Sequence, residues 1–319
     1  MTKLNRNKKI VLISAVILLP LATWLGYVWL RIYERSPERR PYDGEPIKNI
    51  LILGIDQLDN EPSRADSIII LSKNTDSGDV SMVSIPRDSR VEIQGYGLDK
   101  INHAMALGGV DLMRSTVEQL MDVPLHYYVY TNFAGFEKII DTLGGVQVNV
   151  EREIIGTNGI PILEPGPQHL SGSQALTYVR FRSDAKGDFG RMRRQQQILK
   201  AIATRMMQPQ SIVRLPALLE QLADDVRTDL PPARLLSLGT TVASQDIAEI
   251  NTVQLRGTST LIDGISYVIL DVDFLRQTVD RYIRRSTGKP QASRKDSTCH
   301  REFHRSPGKT VMDKQLQMW

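Results

Sequence analysis

Three short apolar runs near the beginning of the chain have the length and composition of β-strands. They are NILILG at residues 49–54, SIIILS at 67–72 and VSMVSI at 80–85. Residues 74–79 separate the second run from the third and are rich in turn-forming Asn, Asp, Ser and Gly, so these two runs are predicted to form an antiparallel hairpin. The pattern predicts the centre of a β-sheet.

Beyond residue 100 the apolar positions change repeatedly between helical and strand spacing. The predicted helices cover residues 102–121, 133–143, 171–176, 191–207 and 272–283. The predicted strands cover residues 123–131, 146–150, 178–181, 251–255 and 267–270. Alternating strands and helices favour an α/β fold, here a three-layer α/β/α sandwich with a central mixed β-sheet.

Residues 10–30 contain no charged side chain and form the most apolar stretch of the chain. About 20 such residues span a bilayer core as a helix, so one N-terminal transmembrane helix is predicted. Basic residues precede it and aromatic residues crowd its far end, namely Lys3, Arg6, Lys8 and Lys9, then Trp24, Tyr27, Trp29 and Tyr33. This arrangement predicts a cytoplasmic N-terminus and an extracytoplasmic C-terminal domain. The alternative is a cleaved signal peptide, but the run exceeds the usual apolar region of about 7–15 residues and no clear cleavage site follows.

The predicted organisation is a cytoplasmic tail (1–9), the membrane helix (10–30), a juxtamembrane linker (31–47), one catalytic domain (48–285) and a disordered tail (286–319). The chain is 41% hydrophobic and 24% charged, which is ordinary for a globular domain. Its single cysteine, Cys299, lies in the tail, so neither an intrachain disulfide nor a cysteine-based metal site is expected. A DNA-binding regulator is disfavoured, because the domain is predicted outside the cytoplasm and contains no recognisable helix-turn-helix.

Residues 178–197, YVRFRSDAKGDFGRMRRQQQ, concentrate arginines around a turn. Arg180 and Arg182 alternate as on a strand, while Arg191 and Arg194 are three apart as on a helix. Buried guanidinium groups need anionic partners, and their planar forks bind phosphoryl oxygens bidentately. A polyanionic ligand such as a pyrophosphate is predicted here.

Charged residues also stand at the ends of the first three predicted strands. Asp56 follows the first, Arg64 and Asp66 precede the second, and Arg87 and Asp88 follow the third. The antiparallel hairpin predicts that Asp66 and Arg87 are neighbours, and Asp56 would join them if the first strand ran alongside the third. Two carboxylates together with phosphate oxygens suit Mg²⁺.

The chemistry that these residues favour is phosphoryl transfer, in which positioned cations supply most of the catalysis. No Ser-His-Asp set is evident, and His103, His126 and His169 lack metal-ligand spacing. If a base is needed, Asp88 or Arg87 could orient the acceptor hydroxyl, and the identity of the general base is left open. Arg87 is assigned an electrostatic role, since an arginine is a poor proton acceptor.

Seven motifs in order resemble the LytR-CpsA-Psr family of membrane-anchored cell-wall ligases. They are NILILGIDQ, RADSIIIL, VSIPRDS, DKINHAMALGG, NFAGFEKIIDTLGGVQVNV, LSGSQALTYVRFR and DFGRMRRQQ, within residues 49–207. The resemblance implies an extracytoplasmic α/β/α domain that binds polyprenyl-pyrophosphate glycans in an apolar pocket. It also implies transfer of the glycan phosphate to a cell-wall acceptor, usually peptidoglycan, with no nucleic-acid partner.

Carried over by motif, the resemblance implies metal and pyrophosphate residues. Asp56 and Asp66 would hold Mg²⁺ or Mn²⁺. The pyrophosphate would be surrounded by Arg64, Arg87, Lys100, Arg180, Arg182, Arg191 and Arg194, with Gln195 and Gln196 as the family's paired glutamines. The expected catalytic residues are Arg87, Asp88 and Arg182.

A polyprenyl chain needs a long apolar cavity, and helical residues standing off one sheet face are expected to line it. The candidates are Ala104, Met105, Leu107, Leu112, Leu120, Val129, Phe133, Phe136, Ile139, Ile140, Leu199, Ile202 and Met206. Two alternative functions remain open on the same residues. The protein could bind polyprenyl-linked glycans without turning them over, as a carrier or regulator, or it could pass the phosphate to water as a pyrophosphatase.

Overall fold

The structure is a computed structural model that describes residues 23–24, 26–34, 47–56, 63–74, 79–155, 161–181, 187–208, 220, 223–231 and 247–284. Several predictions lie outside these residues. They concern most of the membrane helix, most of the linker, Arg182 and the tail at 286–319.

The described strands, in chain order, are β1 (Ile47–Ile55), β2 (Ala65–Asn74), β3 (Val80–Ser84), β4 (Arg90–Ile93), β5 (Gly97–Lys100), β6 (Tyr127–Thr131), β7 (Val146–Val150), β8 (Ile154–Ile155), β9 (Pro161–Leu163), β10 (Gly166–Leu170), β11 (Val226–Thr228), β12 (Asn251–Gln254), β13 (Gly257–Ile262) and β14 (Ile265–Leu270). The described α-helices are α1 (residues 26–32), α2 (His103–Met121), α3 (Phe133–Thr142), α4 (Gly172–Arg180), α5 (Gly187–Met206) and α6 (Val272–Thr278). A 3₁₀ turn covers Ile247–Glu249, and a π-helical turn covers Val279–Arg284.

A central mixed sheet has the strand order β11-β6-β1-β2-β3-β12. β2 is antiparallel to both β1 and β3, and β11 is antiparallel to β6. β6 is parallel to β1, and β12 is parallel to β3. The remaining strands pair two by two, as β4 with β5, β7 with β10, β8 with β9 and β13 with β14. The predicted mixed α/β fold is therefore confirmed.

β1 and β2 contain continuous apolar runs, and successive side chains along them join different clusters on the two sides of the sheet. Leu53 and Ile70 belong to the largest cluster, together with Val117 of α2. Ile52 and Ile69 belong to another cluster, together with Leu199 of α5. The sheet thus contacts α2 through one set of side chains and α5 through the other.

Two helices begin at side-chain caps, which place their first residues. The Asn132 side chain accepts a hydrogen bond from the Gly135 amide at the start of α3. Ser171 and Gln174 form a reciprocal capping box at the start of α4. Both helices border the cavity described below.

The helix α2 contains a kink at Gly108 and Gly109. Gly109 has φ 67° and ψ −162°, a backbone conformation that is open essentially to glycine alone. The kink interrupts the regular i to i+4 hydrogen bonding, so nearby carbonyls of the first helical turns need other donors.

The strand predicted at 178–181 is wrong, because Tyr178 and Arg180 belong to the helix α4. The alternation of arginine with aromatic residues suggested a strand, but the capping box at Ser171 begins a helix that continues to Arg180. The predicted condition that the first strand runs alongside the third is also wrong, since β1 pairs with β2 and β6.

Among the described residues, no helix combines the length and apolarity needed to cross a membrane. The helix α1 instead has two apolar residues packed on the domain. Val28 and Ile32 are buried against Ala223 and Val226. Directly after α1, the Glu34 amide donates to the Thr228 carbonyl at 2.9 Å. Residues 32–34, which lie in the predicted linker, are thus joined to β11 at the edge of the sheet.

Candidate functional site

A row of alternating charges lies where β2 begins and β3 ends. Arg87 forms an ion pair with Asp66. Its Nε lies 3.6 Å from Asp88 Oδ2, and Lys100 Nζ lies 2.9 Å from Asp88 Oδ1. Burial alone would lower the pKa of Arg87, but the carboxylates of Asp66 and Asp88 outweigh it and raise that pKa above its ordinary value. The predicted proximity of Asp66 and Arg87 is confirmed.

Strand pairing and a short turn hold this row in place. The Ile85 amide donates to the Ile68 carbonyl at 2.9 Å, which extends the β2–β3 pairing to the turn that carries Arg87 and Asp88. The amide of Val268 in β14 donates to the Asp88 carbonyl at 2.8 Å. Backbone bonds from both sides therefore fix the directions in which the two charged side chains leave the turn.

Asp56 lies at the end of β1, beside the start of β2. Its Oδ1 accepts hydrogen bonds from Ser63 Oγ at 2.6 Å and from the Arg64 amide at 2.9 Å. Asp56 therefore reaches this region because β1 pairs with β2, and not through a pairing of β1 with β3. The Arg64 side chain is exposed.

The carboxylates of Asp56 and Asp66 lie at neighbouring ends of paired strands. Within the described ranges, no three His, Cys, Asp or Glu side chains form a complete protein cage for a metal ion. Mg²⁺, however, commonly takes only one or two carboxylates and completes its shell with phosphate oxygens and water. The donor set fits a hard cation that is bound together with an anionic ligand.

A cavity of about 400 Å³ opens beside this region. Much of its wall is apolar, and the polar lining residues include Asp66, Arg180, Arg191 and Gln195. The apolar part is lined by Ile52, Leu53, Phe133, Phe136, Leu176, Val179 and Leu199. The lining residues suit an amphipathic ligand that has an apolar part and an anionic group.

Two predicted arginines line this cavity from different helices. Arg180 ends α4, and its guanidinium carbon lies 4.8 Å from the centre of the Phe133 ring. Arg191 is only 2% exposed, and its Nη2 lies 2.5 Å from Oδ1 of Asp188, one turn earlier in α5. Sequence reasoning missed Asp188, although the i, i+3 spacing of opposite charges on a predicted helix was an available signal.

Arg194 has a different environment from Arg191. It is buried, donates to the Phe181 carbonyl, and stacks near the rings of Phe181 at 5.4 Å and Tyr178 at 6.0 Å. It is absent from the cavity lining. In this structure Arg194 contacts the chain that follows α4.

The paired glutamines also separate into two environments. Gln195 lines the cavity. Gln196 is 3% exposed, and its Nε2 donates to Ser84 Oγ and to the Val253 carbonyl, both at 2.9 Å. Gln195 therefore faces the ligand space, whereas Gln196 joins α5 to β3 and β12.

Three of the candidate lipid-contacting residues, Phe133, Phe136 and Leu199, line the cavity. Others belong to the core, where Ala104 and Ile140 are fully buried in separate clusters. Thr131 and Asn132 line the cavity as well, and no sequence pattern selects them.

Comparisons with known proteins find similar sequences and structures. The sequence profile of the LytR_cpsA_psr family matches residues 34–283. Polyisoprenyl-teichoic acid–peptidoglycan teichoic acid transferase TagU from Bacillus cereus is 39% identical over 196 residues, which cover 61% of this chain and 64% of that protein. Regulatory protein MsrR from Staphylococcus aureus is 36% identical over 221 residues, 67% of each chain.

A solved structure, "TagT bound to LIIa-WTA", superposes with a TM-score of 0.65 at 29% identity, covering 79% of this chain and 97% of that one. This chain spans about 64% of the length of TagU from Bacillus cereus.

Proposed function

This chain belongs to the LytR_cpsA_psr family, and from that premise we propose that it transfers a glycan phosphate from a polyprenyl-pyrophosphate carrier to a cell-wall acceptor, with peptidoglycan as the acceptor. The observation that carries the proposal is the apolar cavity whose lining includes Arg180, Arg191 and Gln195. The names of the relatives support it, since TagU is called a transferase of teichoic acid to peptidoglycan.

In this proposal the polyprenyl chain occupies the apolar part of the cavity and the pyrophosphate lies at its polar residues. Arg180 and Arg191 offset the charge of the phosphoryl oxygens, and Gln195 donates a hydrogen bond. Asp56 and Asp66 would hold Mg²⁺ or Mn²⁺, which would neutralise further negative charge on the phosphates. Arg182, outside the described residues, is proposed to act with these arginines.

The transfer is a displacement at phosphorus. The acceptor oxygen forms a bond to the phosphorus that carries the glycan, and the bond from this phosphorus to the bridging oxygen breaks. Polyprenyl phosphate leaves with the electron pair, and Asp88 is proposed to receive the hydroxyl proton. Arg87 stays protonated and stabilises the charge that spreads onto the equatorial oxygens.

The proposal places the domain on the outer side of the cytoplasmic membrane. The apolar run 10–30 would supply a single-pass anchor with a cytoplasmic N-terminus, while Val28 near its end packs on the domain. The domain would be an α/β/α sandwich, which is consistent with side chains of α2 and α5 joining different clusters of the sheet.

The test follows a labelled glycan phosphate from a short polyprenyl-pyrophosphate donor to peptidoglycan fragments, using the full chain with and without Mg²⁺. We expect metal-dependent and acceptor-dependent product. Arg191→Gln is expected to lower kcat/KM by about 100-fold or more, the usual loss when one charge-stabilising group is removed. Arg193→Gln is the matched control, because Arg193 lies on the same helix but pairs with Glu151 outside the cavity lining.

Arg191 is buried, so thermal unfolding of both arginine variants must be compared before activities are interpreted. Asp66→Asn gives an independent test, with Asp263→Asn at an exposed hairpin turn as its control. Loss of transfer in Asp66→Asn alone, with donor binding retained, is the expected result. Equal activity in Asp66→Asn and Asp263→Asn would contradict the assigned role of Asp66.

Two other functions are outcomes of the same assay. Donor binding without product would favour the carrier or regulator, an alternative that the name of the relative MsrR supports. Release of glycan phosphate to water in the absence of acceptor would favour a pyrophosphatase.

A further inference from the structure

The row of charges at the candidate site has two ends. At one end Asp66 lines the cavity, and from there the contacts run through Arg87 and Asp88 to Lys100, the last residue of β5. The donor is proposed to lie in the cavity, so an acceptor that approaches from elsewhere would meet the other end of this row. That end is the base of the β4–β5 hairpin.

The hairpin has one buried face and one outer face. Val91 and Ile93 are buried in the main core, which holds the hairpin on the domain. Residues directly opposite on paired strands share a face, so the outer face carries the cross-strand pairs Arg90–Lys100 and Glu92–Leu98.

The base of the outer face is held by an aromatic ring. Tyr267 of β14 is buried, and the charged groups of Arg90 and Lys100 lie 5.6 Å and 5.8 Å from its ring centre. Cations over a buried ring are restrained in position. Lys100 is therefore fixed beside Asp88, where the acceptor hydroxyl is required.

The far end of the hairpin exposes large apolar groups. Leu98 is 53% exposed and lies on the outer face, and Tyr96, in the turn between β4 and β5, is 55% exposed. The Cα atoms of Tyr96 and Leu98 are at most about 7 Å apart, and those of Leu98 and Lys100 are separated by a similar distance. Leu98 therefore links the base of the outer face to the aromatic residue at the tip of the hairpin.

The ring of Tyr96 is exposed but anchored. Its hydroxyl donates to the Leu107 carbonyl at 3.1 Å. Leu107 directly precedes the kink at Gly108 and Gly109, where regular helical hydrogen bonding is interrupted. The hydroxyl group of Tyr96 is thus bonded within the protein, and the apolar part of its ring is held at the surface, exposed to solvent.

We propose that the outer-face residues Arg90, Glu92, Leu98 and Lys100, together with Tyr96 at the tip of the hairpin, bind the acceptor glycan. Sugar rings present apolar C–H faces and a rim of hydroxyls. The apolar faces would pack on Tyr96 and Leu98, and the hydroxyls would bond to Glu92 and Arg90. The reactive hydroxyl would then lie at Asp88. This inference rests on the proposed function, because it places the acceptor of that reaction.

The test measures transfer by the full chain as a function of acceptor concentration. Tyr96→Ala and Leu98→Ala are each expected to raise the KM for peptidoglycan fragments about tenfold with kcat unchanged, because an apolar contact made equally in the ground and transition states is lost. Leu261→Ala is the matched control, since Leu261 is 70% exposed on the separate β13–β14 hairpin. Donor binding is expected to be the same in all three variants.

Unchanged acceptor KM in both Tyr96→Ala and Leu98→Ala would overturn the inference and leave the proposed function standing. If the wild-type chain transfers nothing, binding of N-acetylglucosamine–N-acetylmuramic acid oligosaccharides decides the matter. Binding that weakens about tenfold in Tyr96→Ala and Leu98→Ala, but not in Leu261→Ala, supports the proposed acceptor site although the transfer function fails. Binding that is equal in all variants, or absent from the wild type, overturns it.

Discussion

Adjacent residues of one helix can have opposite tasks, as Gln195 and Gln196 illustrate. Successive side chains on an α-helix diverge by about 100°, so two neighbours can have different surroundings. Gln195 lines the cavity, while Gln196 bonds to Ser84 and Val253. Substitutions at these two glutamines therefore separate the effect of losing a cavity-lining side chain from the effect of losing a structural hydrogen bond.

Gln196→Ala is expected to lower the free energy of unfolding by about 1–3 kcal/mol, because Ser84 and the Val253 carbonyl lose a buried partner. Gln195→Ala is expected to leave stability within about 0.5 kcal/mol of the wild type and to reduce transfer activity. Urea unfolding and the transfer assay, applied to both variants, separate the two roles. Equal loss of stability in the two variants would contradict this division.

The same pair marks the limit of sequence reasoning at the residue scale. A motif places both glutamines near the ligand, but the rotation of α5 on the sheet decides which one faces it. Phe136 and Ile140 pose the same problem, since both are apolar and lie on one helix, yet Phe136 lines the cavity and Ile140 is buried in the core. Apolar chemistry alone does not distinguish a cavity wall from a core.

At the scale of elements, local signals succeeded where the chain's own neighbours determine its conformation. Short continuous apolar runs and the turn-rich segment at residues 74–79 predict β1, β2 and β3 and the hairpin that brings Arg87 to Asp66. The helical end of α4 was missed, because Arg180 follows a strand-like alternation while the capping box lies nine residues earlier at Ser171. The edge position of β11 depends on long-range pairing that no local pattern encodes.

The connection from α3 to β7 requires glycine for two reasons that can be separated experimentally. Gly145 has φ 84°, and an added Cβ would also clash with the His169 ring and lie 2.9 Å from the Leu170 carbonyl oxygen. Gly95, in the turn between β4 and β5, has the same φ but open space around it. The two positions share backbone strain and differ in steric room.

Gly95→Ala is expected to lower the free energy of unfolding by about 1–2 kcal/mol, because a residue with a Cβ is disfavoured in a left-handed backbone conformation. Gly145→Ala is expected to lower the free energy of unfolding by more than Gly95→Ala does, because steric overlap adds to the same backbone penalty. Thermal or urea unfolding of the two variants measures the difference. A loss in Gly145→Ala no larger than that in Gly95→Ala would show that the β7–β10 packing relaxes freely.

At the scale of the whole molecule, buried tyrosines make stability depend on alkaline pH. Burial, as the largest cause, and the nearby Glu151 raise the pKa of Tyr178 to about 12. Burial and Glu34 likewise raise the pKa values of Tyr128 and Tyr130. The folded protein therefore retains protons that the unfolded chain loses above its ordinary tyrosine pKa of about 10.

A tyrosine whose pKa is raised in the folded state contributes its full stabilisation of the fold below about pH 10. This contribution is lost as the pH rises towards 12. We expect the free energy of unfolding to fall between pH 10 and pH 12, by up to about 1.4 kcal/mol per pH unit for each such tyrosine. Urea titrations of the wild type and Tyr178→Phe measure this slope. The variant should have a shallower slope, whatever its constant offset at lower pH, and an identical slope would contradict the role of Tyr178.

The junction between α1 and β11 also affects how far the protein can act from its anchor. A domain on a flexible linker samples a volume that grows with linker length. Here Ile32 and Glu34 are fixed to the edge of the sheet, so the height of the cavity above the end of α1 is set by packing. With the proposed anchor in the bilayer, the enzyme would meet its lipid carrier by lateral diffusion in two dimensions. Only the innermost layer of the wall would then supply acceptors, and growth of the polymer-bearing wall would begin at the membrane surface.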